Sequence, residues 1–211
     1  MDCEKVITQN MQESDYVTDI CSHKLFQSKL MELTKLILAR QSVRRYAETP
    51  VEPEKLTQCL EAARMAPSAS NSQPWKFIVV DQEPLRSEVA KATFSDIKLI
   101  NKFTMQAPVL VIVILEKAKL LTRLAMQVKK KDWPLIDIGL AAGQFCLQAA
   151  ELGLGTCIIG WFEEEKIKKL VKIPSDKSVG LVISVGYAVE GYPLRTKIRK
   201  SLEEIVQYNQ Y

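Results

Sequence analysis

Residues 134–160 read PLIDIGLAAGQFCLQAAELGLGTCIIG, and this stretch decides the fold class. A proline near its start and a glycine after Leu152 are typical of the two ends of a helix, so residues 134–152 are expected to be helical. The β-branched residues that follow predict a short strand at residues 156–160. Six small residues along the helix would let another helix or a flat ligand approach closely: Gly139, Ala141, Ala142, Gly143, Ala149 and Ala150.

The rest of the chain also mixes the two kinds of element. Aromatic and β-branched residues predict strands at residues 75–81, 109–115 and 179–187. Apolar spacing and turn residues predict helices at residues 30–39, from residue 53 to before residue 67, at residues 84–94 and at residues 163–171. Six bases crowd residues 117–131, for which the pattern predicts no element. A layered domain of the α+β class follows.

The composition excludes several classes of protein. With 47% apolar and 26% charged residues in a chain of 211, there is enough apolar material for a full core, and disorder of the whole chain is excluded. The net charge of +4 is too small to indicate a nucleic-acid partner. His23 is the single histidine, which excludes most hydrolase triads and any metal site built from several histidines. We therefore expect no metal, and chemistry supplied by a bound cofactor.

Three features favour the cytoplasm. The five cysteines are scattered and form no C-x-x-C pair, as expected of reduced thiols. The polar, acidic start of the chain does not resemble a signal peptide. The longest apolar run, residues 108–115, is too short to cross a bilayer, so no membrane partner is expected.

The charge is divided unevenly along the chain. Residues 1–28 hold five acids and two bases and carry −3, whereas residues 29–211 hold 27 bases and 20 acids and carry +7. We interpret the first segment as an appended arm, either flexible or packed on a partner subunit. The globular domain is expected to occupy residues 29–211.

Two basic segments, RQSVRR at residues 40–45 and RTKIRK at residues 195–200, are candidates for anion binding. In an extended chain alternate residues share one side, which here groups Arg40, Ser42 and Arg44, and likewise Arg195, Lys197 and Arg199. Guanidinium groups, an ammonium and a hydroxyl that converge from both segments would form a phosphate clamp. Charge spacing alone favours the alternative of two solvated basic surfaces.

A third segment, APSASNSQPW at residues 66–75, lies between two prolines. Its serines, Asn71 and Gln73 offer hydrogen-bond donors and acceptors on a rigid loop. Such a loop suits the hydrogen-bonding edge of a flat heterocycle, and a plain turn is the equal alternative.

Five segments in order together resemble the FMN-dependent nitroreductase family: RQSVRRY, PVEPEKLTQCLEAARMAPSASNSQPWKFIVV, DIGLAAGQFCLQAAELGLGTCIIGWF, ISVGY and the K-x-R tail. The resemblance runs from about residue 30 to residue 211. It implies a nitroreductase-like α+β fold whose central sheet is antiparallel-dominated and flanked by helices, in an intertwined homodimer. One FMN would lie in each of two pockets at the subunit interface.

The resemblance also assigns roles to the two basic segments. Arg40 would hold the FMN phosphate, and Ser42 would lie along the ribityl chain. Arg44 would lie near the flavin N1/C2=O edge, where a cation stabilises the reduced, anionic flavin. Lys197 and Arg199 match the phosphate contacts near the C-terminus of the family.

The loop and the end of the third predicted strand match further flavin contacts. Pro67, Ser68 and Asn71 match a loop that reaches the flavin from the other subunit, and Ile159, Gly160 and Trp161 match a segment whose backbone N–H lies near N5. Two positions depart from the family. Gln41 replaces a residue that is often Arg or His, which weakens the claim for its side chain, and Ala69 replaces Ser or Gly, so that only its backbone can serve.

The resemblance implies an FMN-dependent NAD(P)H oxidoreductase. NADH or NADPH would deliver hydride to the flavin, and a nitroaromatic, quinone or related small acceptor would then be reduced in ping-pong fashion. No side chain is expected to be a catalytic acid, base or nucleophile. The alternatives are a flavin-dependent reductive dehalogenase or other flavin-consuming enzyme, and a non-catalytic flavin-binding or redox-sensing module. Residues 91–132, where the family builds its substrate lid, would discriminate the reactions.

Overall fold

The computed structural model describes residues 33–94, 99–117 and 128–211. The chain divides into two units, Met1–Leu38 and Ala39–Tyr211. Of the first unit the described part is residues 33–38, which are helical, in agreement with the helix predicted there. The predicted arm at residues 1–28 and much of the predicted lid lie outside the described residues.

The second unit is built on a four-stranded sheet with the order β1-β2-β4-β3, in which every neighbouring pair is antiparallel. The strands are β1 (Trp75–Val80), β2 (Val109–Leu115), β3 (Gly155–Ile159) and β4 (Ser178–Gly186). Their bounds agree with the predicted strands to within one residue. The sheet and its flanking helices confirm the predicted α+β fold.

The helices described beside the sheet include α1 (Pro53–Arg64), α2 (Leu85–Lys91), α3 (Trp133–Glu151), α4 (Glu164–Leu170) and α5 (Leu202–Ile205). The first four were predicted. Short 3₁₀ segments at Ala69–Asn71 and Leu99–Gln106 were not. Helix α5 was not predicted either. It begins with a capping box: the Ser201 hydroxyl accepts a hydrogen bond from the Glu204 amide at 3.3 Å, and the Glu204 carboxylate accepts one from the Ser201 amide at 2.8 Å.

Strand β2 is buried on both faces because helices cover both sides of the sheet. Val109, Val111 and Val113 pack with residues of α1 and α3 in one cluster. Leu110, Ile112 and Ile114 point the other way and pack with residues of α2 and α4 in a second cluster. Each such side chain contributes about 1.5–3 kcal/mol when fully buried, which explains why this strand has no polar residue.

The turn from α3 into β3 places the start of that strand. Gly153 has φ +77°, and the amide of Leu154 donates to the carbonyl of Ala149 at 2.8 Å, as in a glycine-terminated helix. Gly155 then opens β3 directly against Val43, since a Cβ atom at Gly155 would lie 2.6 Å from Val43 Cγ2. The segment around residue 43 therefore packs on β3 with no room for a side chain between them.

Three further properties concern the described residues as a set. None of their helices combines the length and the apolar character needed to cross a bilayer. They contain no group of three or more His, Cys, Asp or Glu side chains that could hold a metal ion. Cys59, Cys146 and Cys157 are free, buried thiols.

Candidate functional site

The segment 40–46 lies along the outer edge of β3. Ser42 forms a parallel bridge with Thr156, and the amide of Val43 donates to the carbonyl of Thr156 at 2.9 Å. At the other end of the segment, Tyr46 forms an antiparallel bridge with Ala188. The first basic segment is thus held against the sheet by backbone hydrogen bonds.

Two tyrosine hydroxyls fix this segment further. Buried Tyr46 donates from its hydroxyl to the carbonyl of Val43 at 3.0 Å and lies 2.8 Å from the hydroxyl of Ser184. Desolvation by burial raises the pKa of Tyr46 well above its usual value, which keeps the phenol neutral. The amide of Arg44 donates to the hydroxyl of Tyr192 at 3.1 Å. These bonds set the direction in which the residues on either side of Val43 project.

The second basic segment is bonded to the first. The side-chain amide of Gln41 donates to the carbonyl of Pro193 at 3.0 Å, and its oxygen accepts from the amide of Arg195 at 3.1 Å. The ammonium of Lys197 donates to the carbonyl of Arg40 at 2.6 Å. The structure therefore brings together two segments that the sequence separates by about 150 residues.

Gln41 and Arg195 have roles that sequence analysis did not predict. The departure at Gln41 suggested a weak role for its side chain, yet that side chain joins the two segments. The guanidinium of Arg195 donates to the carbonyl of Ser42 and lies 3.4 Å from the Gln41 oxygen, so it also links the segments. A lone glutamine gives no sequence signal for such a contact.

The joined segments enclose a cleft of about 420 Å³. Its lining residues are Arg40, Gln41, Ser42, Arg44, Arg195, Thr196, Lys197, Ile198 and Arg199. Five of them are cationic and none is acidic. The six predicted cofactor-binding residues of the two segments, Gln41 among them, thus line one cleft.

The positive charge of this cleft is not neutralised by acids of the described part of the chain. Where the structure describes both partners, the ion pairs within 4.0 Å involve none of the five cations. Partial desolvation, and then the charges of Arg40, Arg199 and Arg195, hold the pKa of Lys197 below its usual value. Like charges held together without a counter-charge favour binding of an anion, and a phosphate monoester supplies two negative charges.

The end of β3 presents backbone to the surface. The side chain of Ile159 is buried in the core, so only its main chain is available to a ligand. A Cβ atom at Gly160 would meet nothing within 4 Å, which leaves room beside the strand end. Asn101 donates from its amide to the carbonyl of Trp161 at 3.1 Å and holds the chain after the glycine. Ile159, Gly160 and Trp161 do not line the cleft: Ile159 is the last residue of β3, the strand beside residues 40–46, and the other two follow it.

The loop at residues 67–73 is a second predicted site segment whose residues do not line the cleft of a single chain. Ser70, Asn71 and Gln73 have φ of 52°, 50° and 48°, a region that non-glycine residues rarely occupy. Within the loop, the hydroxyl of Ser68 accepts from the amide of Gln73 at 2.9 Å. Pro67 and Asn71 are exposed, and Ala69 is half-buried. That this loop serves the site of a second subunit stays a prediction.

Sequence analysis missed Asp137, which ties the loop to α3. Asp137 is 5% exposed, and its two carboxylate oxygens lie 3.3 and 3.2 Å from the amide nitrogen of Ala69. The signal was available: Pro134, Ile138 and Ala141 have the spacing of one apolar helix face, and Asp137 is the acid within that face.

Comparisons with known proteins identify the family of the chain. The profile of the Nitroreductase family matches residues 37–187. A putative NADH dehydrogenase/NAD(P)H nitroreductase of Archaeoglobus fulgidus is 31% identical over 165 residues, covering 74% of this chain and 85% of the relative. An iodotyrosine deiodinase of Thermotoga neapolitana is 28% identical over 193 residues, covering 85% and 98%.

Solved structures give the same result. An FMN-dependent nitroreductase of Clostridium difficile R20291 is 30% identical and superposes with a TM-score of 0.66, covering 83% of this chain and 98% of that one. The family profile spans β1 to β4 and includes residue 40 and the loop at residues 67–73. On these grounds the chain belongs to the nitroreductase family.

Proposed function

We propose that this protein is an FMN-dependent NAD(P)H oxidoreductase that reduces nitroaromatic, quinone or related small acceptors. The observation that carries the proposal is the cleft with five lining cations and no lining acid, which suits the phosphate of FMN. Family membership and the FMN dependence of the C. difficile relative support the choice of cofactor. When bound, FMN would take a hydride from NADH or NADPH and pass two electrons to the acceptor.

The residues of the cleft would hold the cofactor by its phosphate and its chain. Arg40, Lys197 and Arg199 would bind the phosphate through charged hydrogen bonds. The hydroxyl of Ser42 would contact the ribityl chain, since Ser42 lies between Arg40 and Arg44 on the same segment. Arg44 would lie at the pyrimidine edge of the flavin ring, where its charge favours the anionic reduced form.

The remaining contacts would face the flavin ring. The backbone of Ile159, Gly160 and Trp161 would lie near N5, with space supplied at the glycine. The loop of Pro67, Ser68, Ala69 and Asn71 would come from the second subunit. No side chain is assigned as an acid, base or nucleophile, because the chain's contribution is to bind and orient the cofactor and to tune it electrostatically.

A homodimer would complete each site. Leu135, Ile136 and Leu140 form an exposed apolar face on α3, and apolar side chains of the C-terminal segment are also exposed, among them Ile198 at 89% and Leu202 at 70%. Exposed apolar surface of this kind is typical of a subunit interface. Residues 1–28 would be an arm appended to this assembly, and residues 29–211 its FMN-binding domain.

Anaerobic reduction by each nucleotide is the direct test. The purified protein is expected to carry FMN or take it up, to be bleached by NADH or NADPH, and to regain its flavin absorption with nitroaromatic or quinone acceptors. Absence of a flavin absorption band, even after incubation with FMN, would refute the proposal. FMN binding without reduction by either nucleotide would instead support a non-catalytic flavin-binding or redox-sensing module.

A second candidate reaction on the same cofactor is reductive dehalogenation. The observation that favours it is the similarity to the iodotyrosine deiodinase of T. neapolitana. An iodinated tyrosine belongs in the acceptor panel for this reason. Iodide release faster than reduction of every nitroaromatic and quinone would favour the dehalogenase.

A further inference from the structure

We propose that Asp137 is a positioning residue for the flavin ring, acting through the loop at residues 67–73. The inference rests on the flavin site proposed above and adds a division of labour within it. The cationic cleft would hold the phosphate end of the cofactor, whereas Asp137 would set the loop that meets the ring of the cofactor bound to the other subunit.

The first argument is the environment of the carboxylate. Asp137 lies on the buried face of α3, between Pro134 and Ile138, and is 5% exposed. Removing a carboxylate from water is costly unless its oxygens accept hydrogen bonds. Both oxygens here lie within 3.3 Å of the amide nitrogen of Ala69, and the ion pairs of the described residues do not include Asp137. Among the described residues, the contact that this acid makes is therefore with the loop.

The second argument is the backbone of the loop. Ser70, Asn71 and Gln73 all lie in the left-handed region, which is strained for residues other than glycine. Backbone of this kind persists where its surroundings hold it in place. The bond from Gln73 to Ser68 closes the loop internally, whereas the bonds from Ala69 to Asp137 fasten it to a long helix. Asn71 is held in an exposed position on this anchored loop.

The third argument is the helix that carries Asp137. The opposite face of α3 presents exposed Leu135, Ile136 and Leu140, the proposed contact with the second subunit. One helix thus bears both the dimer face and the anchor of the loop. A loop fastened to α3 keeps a constant position relative to the other subunit, as a contribution to that subunit's site requires.

Riboflavin separates the two ends of the cofactor because it has the ring and the ribityl chain of FMN but no phosphate. Flavin-free wild-type protein, Asp137→Asn, Asp137→Ala and Arg199→Met would be titrated with FMN and with riboflavin, following flavin fluorescence. The Asp137 variants are expected to bind both flavins about tenfold more weakly, by the same factor for each. Arg199→Met is expected to weaken FMN and leave riboflavin unchanged.

Two further readouts separate positioning from a general structural effect. The absorption band of bound flavin, which reports the surroundings of the ring, is expected to shift in Asp137→Asn and not in Arg199→Met. Sedimentation is expected to give the wild-type oligomeric state for both. Glu151→Gln is the matched control, since it removes an exposed acid from the same helix and is expected to change neither affinity.

The outcomes distinguish the two proposals. If the Asp137 variants bind both flavins as tightly as the wild type does, or if their affinity falls for FMN and not for riboflavin, the positioning role is wrong. The proposed flavin site is unaffected by either result. If Asp137→Ala does not fold, Asp137→Asn, which keeps one acceptor oxygen, decides by the same comparison. If the wild-type protein binds neither flavin, both proposals fail.

Discussion

Gly155→Ala tests how tightly the first basic segment must pack on β3. The new Cβ atom would lie 2.6, 2.8 and 3.0 Å from Val43 Cγ2, Cβ and Cγ1, distances that real Cβ atoms rarely show. Rotation of the valine cannot relieve the clash, because its Cβ atom is itself too close and β-branched side chains are stiff. The segment or the strand must therefore move.

The expected cost follows from the overlap. Overpacking of a tight site by one methyl group costs about 1–3 kcal/mol of the free energy of unfolding. At about 2–4 °C for each kcal/mol in a chain of this size, the melting temperature should fall by about 2–12 °C. FMN affinity should fall as well, because Ser42 and its bridge to Thr156 adjoin the displaced valine.

Thermal unfolding at one fixed protein concentration, followed by circular dichroism, measures the effect. Gly160→Ala is the matched control, since its Cβ atom meets nothing within 4 Å, and the expected change in the free energy of unfolding is below about 0.5 kcal/mol. In the double variant with Val43→Ala, two of the three clashing atoms change: Cγ1 and Cγ2 are removed and Cβ remains. The two changes should therefore couple favourably by about 1 kcal/mol.

Two results would refute this reasoning. One is a melting temperature of Gly155→Ala equal to that of the wild type. The other is a double variant whose loss of stability equals the sum of the two single losses, since that would show that the alanine at position 155 does not meet Val43.

Three further outcomes are expected. Arg40→Met should weaken FMN binding by about 1.5–3 kcal/mol, or about 10- to 150-fold, and leave riboflavin binding unchanged. Arg45→Met, a change outside the cleft, should leave FMN binding unchanged. Equal losses of affinity for FMN and riboflavin in Arg40→Met would contradict the phosphate contact. Tyr46→Phe should lower the free energy of unfolding in urea by about 1–3 kcal/mol because it leaves buried acceptors unpaired, and a change below about 0.5 kcal/mol would count against this network. Burial raises the pKa of the Cys59 thiol to about 12. The stability that depends on this thiol being neutral should therefore be fully present below the ordinary thiol pKa, near 9, and be lost as the pH rises towards 12. Alkylation of Cys59 at neutral pH, followed by mass spectrometry, should be slow in the folded protein, and labelling at the unfolded rate would disprove the burial.

Most of the sheet and the long helix could be predicted because their signals are local. The run at residues 109–115 has the β-branched composition of a strand, and β2 has the same bounds. Pro134 marks the start of α3 because proline has no amide N–H to donate, and Gly153 marks its end because glycine readily adopts a positive φ. Both are properties of single residues.

The elements that were missed are a segment that depends on distant partners and a helix of a single turn. The 3₁₀ segment Leu99–Gln106 has no strong local pattern, and Asn101 within it donates to the carbonyls of Thr93 and Trp161. Its conformation is thus fixed by tertiary contacts, which a sequence pattern does not reveal. Helix α5 is a single turn behind a basic tail, and the capping box that starts it spans just four residues.

The candidate site also contains residues that could be predicted from the sequence and residues that could not. Arg40 and Arg199 could be named from charge and from the resemblance, because guanidinium groups in alternation are visible in a sequence. Gln41 could not, since its partner Pro193 lies 152 residues further along the chain. Asp137 could have been predicted, because a single acid on an apolar helix face is a local feature and a buried carboxylate needs a hydrogen-bond partner.

The distance along the chain between the two halves of the cleft also governs when the cleft can form. Ribosomes add about 5–20 residues each second, so residues 40–46 leave the tunnel roughly 8–30 s before residues 193–199. During that interval Gln41 and the carbonyl of Arg40 lack the partners that later bind them. The cleft is complete when residues 193–199 reach residues 40–46, and an anion bound in the cleft would stabilise these later contacts.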